Sequence, residues 1–250
     1  MSPQASFDVT SARDGDSSVL VLGLSNPGFA GVTATDYLIR HLECEEVGHV
    51  APDGLPSITP FADGEPRNHT RIYDVVDTPL ALLIGELFVP VWAAAPFVDA
   101  VLEWASKAGI DEIAIPYGVA FPHEADEHAV FSVATETFRR RRLADAGFEG
   151  LTGGVLDGVV GDVVARSLNG DAPPTGALVT PTHPPGPDLE AALLLVDAIE
   201  RLYGVDVDER ELREQSEQLA QYYSTLADRM TAMGEGGPEG RDYPEDRTYM

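Results

Sequence analysis

Cysteine is almost missing from this sequence: Cys44 stands alone among 250 residues. A single thiol cannot close an internal disulfide, so nothing here asks for an oxidising compartment. Lysine is equally scarce, with Lys107 the only one, and Lys plus Arg total 16 against 42 Asp plus Glu, a formal charge of −26. A field of that sign repels phosphate backbones and anionic membrane surfaces, so nucleic acid and membrane partners are both excluded as expectations. Molar salt shortens the Debye length to ~3 Å and silences the self-repulsion, which makes a high-salt cytoplasm the natural setting. Long apolar runs are missing too. The stretch 79–98 resembles a membrane span, but it contains Glu86, Pro90 and Pro96, and its longest uncharged run, 87–98, falls short of the ~20 residues a spanning helix needs. It reads as a buried strand, a turn and the start of a core helix. The opening residues lack the basic-then-apolar order of a signal peptide.

What is present is apolar material for one substantial core, 44% of the residues. Strands are expected at residues 18–24, 71–76, 80–85, 112–116, 130–134 and 176–180, several as continuous apolar runs that imply burial on both faces. Helices are expected at 28–42, 91–108, 137–146 and 155–168. In the first, Ala30, Ala34, Leu38 and Leu42 form an i, i+4 stripe. This alternation predicts an α/β sandwich with a mostly parallel or mixed sheet. Residues 1–17 read as an extension, 18–233 as a single domain, and 188–233 as its C-terminal helical hairpin. In the second hairpin helix, 208–233, Leu212, Leu219, Leu226 and Met233 lie seven apart, with Ser216, Tyr223 and Met230 four residues on, an a/d heptad pattern. Packing on its own domain is the simpler use of that stripe, and exchange across a subunit interface the sharper one. Residues 234–250 carry too few apolar groups to repay ordering and read as a flexible acidic tail.

Chemistry-bearing motifs are few. Gly23-Leu24-Ser25-Asn26-Pro27-Gly28-Phe29-Ala30-Gly31 follows the first strand, but it matches neither the dinucleotide nor the phosphate-loop pattern. A tight turn capped by Ser25 or Asn26 explains it better than an anion site. His123-Glu124-Ala125-Asp126-Glu127-His128 invites a zinc reading, yet its histidines are five apart rather than the four that place both on one helix face. A solvated acidic loop is the expectation. His41, His49, His69 and His183 are scattered, no nucleophile–base arrangement follows from spacing, and no metal or cofactor site is expected. Arg139–Arg142, the one basic cluster, spreads around a helix instead of tracking a phosphate backbone, and reads as neutralising nearby acids or as an interface contribution.

The order of these segments resembles a known family. The Gly23–Gly31 opening, the strand end Ile115-Pro116-Tyr117-Gly118, the turn Leu151-Thr152-Gly153-Gly154-Val155 and the two acidic C-terminal helices are similar to the archaeal branch of the proteasome assembly chaperone family. That resemblance implies a three-layer α/β sandwich like the purine nucleoside phosphorylases without their catalytic residues. It implies a cytoplasmic homo-oligomer, no enzymatic activity, and α-subunits of the 20S proteasome as partners. Members that bind the proteasome carry a C-terminal hydrophobic-Tyr-any tripeptide, and Thr248-Tyr249-Met250 puts a tyrosine in the matching place. Thr248 departs from the pattern, offering one methyl where Leu or Val would fill a pocket. The physical logic is that a terminal carboxylate pairs with a partner cation while the Tyr249 ring supplies buried area and a polar tip. About seventeen flexible residues give the tail a reach of roughly 20–25 Å. The alternative expectation is a small-molecule enzyme or sensor with a pocket near Gly23–Gly31 and residues 117–123.

Overall fold

Two six-residue runs, β2 (Val19–Leu24) and β7 (Leu80–Gly85), are buried at every position and pair with one another in parallel. Their apolar continuity demands cover on both faces, and that requirement organises the molecule. The structure, a computed structural model, describes residues 5–12, 17–26, 28–120, 128–183 and 187–235, with the backbone alone described at 220, 223, 224 and 226–235.

Among the described residues the elements run β1 (Ser6–Ser11), β2, α1 (Ala30–His41), β3 (Cys44–Asp53), the small hairpin β4 (Phe61–Ala62) and β5 (Glu65–Pro66), β6 (Thr70–Val75), β7, α2 (Val91–Lys107), β8 (Glu112–Val119), β9 (Phe131–Ala134), α3 (Glu136–Phe138), β10 (Glu149–Gly150), α4 (Gly158–Asn169), β11 (Thr175–Pro181), α5 (Leu189–Tyr203) and α6 (Arg210–Glu235). A mixed nine-stranded sheet has the order β1-β3-β6-β7-β2-β8-β11-β9-β10. Its centre, β7-β2-β8-β11, is parallel, while β1, β3 and β6 on one side and β9 on the other join through antiparallel pairings. Successive β2 residues face opposite layers. Leu20 and Leu22 pack in one cluster with Phe97, Val101 and Val163 of α2 and α4, and Val19 and Val21 in the other with Leu38, Leu195 and Ile199 of α1 and α5. The expected α/β sandwich with helices on both faces is therefore the observed architecture.

Several expectations need correction. Residues 1–17 are not all an extension: β1 pairs with β3 along its whole length, and Phe7 is buried edge-to-face against Phe97, with centroids 5.2 Å apart. β3 itself was not expected, because its sequence CEEVGHVAPD is half solvated and carries no apolar run. The helix expected from 155 begins only at Gly158. Asp157 is extended, Gly158 has φ +58°, and Val155 is 92% exposed. The helix expected at 137–146 is one turn, α3, running into a π turn at Arg139–Leu143. In α6, Leu212 is buried beside the Tyr37 hydroxyl, whereas Ser216 and Leu219 are only half-buried. No helix among the described residues is long and apolar enough to cross a membrane.

Candidate functional site

The C-terminal ends of the parallel strands form one edge of the sheet, where β2 leads into α1 on one face and β7 leads into α2 on the other. Divergence of neighbouring crossovers opens a crevice at such an edge, the usual ligand position in open α/β sheets. The three short segments that stood out in the sequence meet here. Gly31, at the start of α1, lies so close to β8 that a Cβ would fall 2.2 Å from the Pro116 carbonyl oxygen, so glycine is required by the approach. Pro116 is tolerated in this central strand because the β2–β8 register ends at Ala114, leaving no ladder bond for its missing N–H on that side. Gly28, with φ +78°, packs against Thr182 at the end of β11. Pro27 lies outside the described residues.

Neither Ser25 nor Asn26 caps α1. The Ser25 hydroxyl donates to the Glu86 carbonyl at 3.0 Å, the Asn26 amide donates to the Leu24 carbonyl, and the turn is closed by the Phe29 N–H donating to the Asn26 carbonyl at 2.9 Å, with Phe29 left-handed at φ 54°. The expected tight turn is present, but it is built from backbone.

Two cavities open on this edge. One of about 190 Å³ lies between the β2 turn and the starts of α2 and α4, where Ser25, Asn26, Phe88, Tyr117 and Asp157 contribute. Burial pushes the Tyr117 phenol above its ordinary range, and the negative charge of Asp157 adds to that. The other, about 500 Å³, is lined by Val119, Val133, Leu151, Val155, Leu156 and Val179 together with Gly153 and Gly154. The first is below the usual volume of a small-molecule site, and the second offers apolar walls with, among the described residues, no side chain to orient a polar ligand. Exposed Phe88, Val91 and Val155 line these cavities, and exposed Trp92 follows Val91 in α2. These groups make a surface suited to contact. They do not assemble a nucleophile with its base: the Ser25 hydroxyl proton is committed to a carbonyl oxygen.

Sequence reasoning missed a charged cluster that supports this edge. Arg71, 1% exposed, reaches Glu86 Oε2 at 2.7 Å, the Asn68 carbonyl at 2.5 Å, and the Tyr73 hydroxyl at 2.9 Å through Nε. Glu86 also pairs with Arg67 at 3.0 Å, immediately before the Leu87–Val89 part of the small cavity. Of the basic run, Arg142 reaches the buried Glu112 at 2.6 Å and lies over the Tyr203 ring, whose hydroxyl donates to the same carboxylate at 3.1 Å. Neutralisation of an acid was expected of that cluster, though of a surface acid and not an interior one.

Thr248, Tyr249 and Met250, the residues singled out for partner binding, lie outside the described residues, as do His123–Glu127 of the acidic loop. The sequence profile of the PAC2 family matches residues 20–227. The chain belongs to the PAC2 family. No curated protein matches the sequence. Among solved structures, this PAC2 protein is similar to Pyrococcus furiosus PbaA, an archaeal homolog of proteasome-assembly chaperone, with 17% identity over 91% of this chain and 95% of that one at a TM-score of 0.78. Pyrococcus furiosus PbaB, an archaeal proteasome activator, is 16% identical over 90% of this chain and 99% of its own, with a TM-score of 0.76. A Thermoplasma acidophilum protein of unknown function is 22% identical over 92% and 93% of the two chains, with a TM-score of 0.73. At these identities the likeness establishes a shared fold.

Proposed function

We propose that this PAC2 protein is a non-enzymatic, cytoplasmic binding partner of the 20S proteasome, acting as an assembly chaperone or as an ATP-independent activator. Membership of the PAC2 family across residues 20–227 carries the reading, and the fold shared with PbaA and PbaB supports it. On this reading the scaffold, of the kind seen in purine nucleoside phosphorylases, holds and presents the tail. Thr248, Tyr249 and Met250 dock in pockets of the α-ring, with the Tyr249 ring supplying the buried area. A homo-oligomer presents several tails at once and gains affinity without new contacts. The heptad stripe of α6, whose Ser216 and Leu219 are left half-buried by their own domain, supports self-association.

The test is co-purification with a 20S particle, and stimulation of its peptide hydrolysis, at the salt of the source cell. Deleting residues 248–250, or the change Tyr249→Ala, abolishes binding if the tail docks; retention of full binding by both variants overturns the tail mechanism. Light scattering on the same samples reports the oligomer. A second reading, a small-molecule sensor, is favoured by the 500 Å³ cavity alone. It requires a ligand-dependent shift in melting temperature that survives removal of the tail.

A further inference from the structure

At the same edge of the sheet, but at the start of α5, the fold joins two histidines that the sequence keeps far apart. His128 lies three residues before β9, and His183 and Asp188 lie in the connection between β11 and α5. One ring nitrogen from each histidine and a carboxylate oxygen of Asp188 lie within 4.8 Å of one another. The rings meet edge to face, with centroids 5.1 Å apart. The side chains of His128 and Asp188 are 5% and 6% exposed, while His183 is 59% exposed and opens the cluster to solvent.

The surroundings of these groups orient them as ligands. His128 Nε2 lies 3.1 Å from the Pro181 carbonyl oxygen. A carbonyl brings no proton, so the bond requires one on Nε2 and places the lone pair of the neutral ring on Nδ1. Nδ1 faces Glu190 Oε1 at 3.5 Å. Asp188 is fixed by backbone: Oδ1 accepts the Ala191 N–H at 3.0 Å, and Oδ2 accepts the His183 N–H at 2.7 Å. His183 Nδ1 stands 2.9 Å from the same Oδ2. A backbone acceptor that sets an imidazole tautomer, and a carboxylate held by peptide donors, are the outer contacts by which metal ligands are pre-oriented. Two imidazoles with one carboxylate suit Zn²⁺, whereas Mg²⁺ and Ca²⁺ require oxygen-rich shells.

We propose that His128, His183 and Asp188 form a zinc site, with Glu190 or water completing the coordination. At Zn–N and Zn–O lengths of about 2.0–2.2 Å the ligand atoms must stand roughly 3.3 Å apart, so the His183 Nδ1–Asp188 Oδ2 pair opens from 2.9 Å and any wider pair closes, and the exposed His183 ring has the freedom to adjust. The ion replaces the proton shared by His183 Nδ1 and Asp188 Oδ2, which passes to solvent. Bound zinc would clamp the segment entering β9 to the β11–α5 connection beside the crevice. Its detection is independent of the proteasome reading, because it needs no partner.

The experiment uses the full chain, stripped with a chelator, dialysed into concentrated NaCl, and titrated with Zn²⁺ against a chromophoric competitor, then with Co²⁺. We expect one ion per chain, ligand-field bands from Co²⁺, and a rise in melting temperature of about 5–10 °C at a hundredfold excess over Kd. His183→Ala should weaken binding at least tenfold, and His128→Gln likewise, with the near-UV circular dichroism of the stripped variants separating ligand loss from misfolding. Asp197→Asn, in the separate Asp197–Glu200–Glu209 cluster, should leave binding unchanged. Equal binding by wild type and His183→Ala, a stabilisation reproduced by Mg²⁺, or the lack of any Co²⁺ band would each overturn the site.

Discussion

Glu86→Gln tests whether the buried charge beside the crevice holds its rim in place. The substitution keeps the side chain's volume and one acceptor but removes the charge that faces Arg71, itself 1% exposed. A buried cation stripped of its counter-ion costs about 3–5 kcal/mol. Two contacts survive the change, those of Arg71 with the Asn68 carbonyl and the Tyr73 hydroxyl, and the Glu86 side chain is 25% exposed, so water reaches the site. Both facts place the loss at the lower end, about 3 kcal/mol. For a domain of this size each kcal/mol moves the melting temperature by about 2–4 °C, which gives a fall of about 6–12 °C. Urea unfolding at fixed high salt measures it, with an unchanged slope showing that the same surface is exposed. Removing the cation as well, by Arg71→Met in the Glu86→Gln background, should recover part of the loss, since an apolar replacement for a buried pair is often neutral. A Glu86→Gln loss below about 1 kcal/mol, or a double variant no more stable than the single one, refutes the reasoning.

The remaining predictions concern positions where the structure sharpened the sequence reading. Gly31→Ala forces a methyl to within 2.2 Å of a backbone carbonyl and should cost about 1–3 kcal/mol by thermal melting. Arg142→Ala, which abandons the buried Glu112, should destabilise by about 3 kcal/mol, whereas alanine at exposed Arg139, Arg140 or Arg141 should stay within about 0.5 kcal/mol. Burial pushes the Cys44 thiol up to about 11. Below that value the folded protein holds the thiol protonated, so alkylation at pH 8 should run roughly a hundredfold slower than in urea and accelerate as the pH rises toward 11. Equal labelling rates in folded and unfolded protein would contradict that.

The centre of the fold was legible and its margins were not, for a physical reason. β2 and β7 are buried on both faces, so each position had to be apolar and the run announced itself. β1 and β3, at one border of the sheet, keep many residues in solvent. Glu45, Glu46 and His49 can occupy a strand there because pairing alone, without a continuous apolar run, holds the backbone extended. Val155 misled in the opposite direction, since an apolar residue that stays 92% exposed carries no information about the core. The approach of His128 to His183 depends on β9 lying antiparallel beside β11, a pairing that spacing along the chain cannot reveal. The turn segments 23–31, 115–118 and 151–155 were legible as motifs, but their convergence on one edge is a property of the parallel centre.

The scarcity of cations also bears on which partners the fold can meet. Arg71 and Arg142 serve the interior acids Glu86 and Glu112, and Arg166 bridges Asp99 and Asp162 between α2 and α4. Arg40, Arg201 and Arg213 pair with acids one helical turn away. These basic side chains are committed within the chain, and Arg139–Arg141, though exposed, fan out around a π turn. A polyanion needs several phosphates matched along one track to repay its salt-dependent cost of binding, and no such track forms among the described residues. The same distribution constrains a protein partner. In concentrated salt, long-range attraction is screened, so affinity must come from buried aromatic and aliphatic contact. Residues of that character are exposed at the crevice edge, and on the proposed reading Tyr249 and Met250 add to them. Raising the salt should therefore leave binding nearly constant if apolar contact dominates. A steep loss of binding with salt would instead place the recognition in the chain's excess carboxylates, the terminal one included, pairing with cations of the partner.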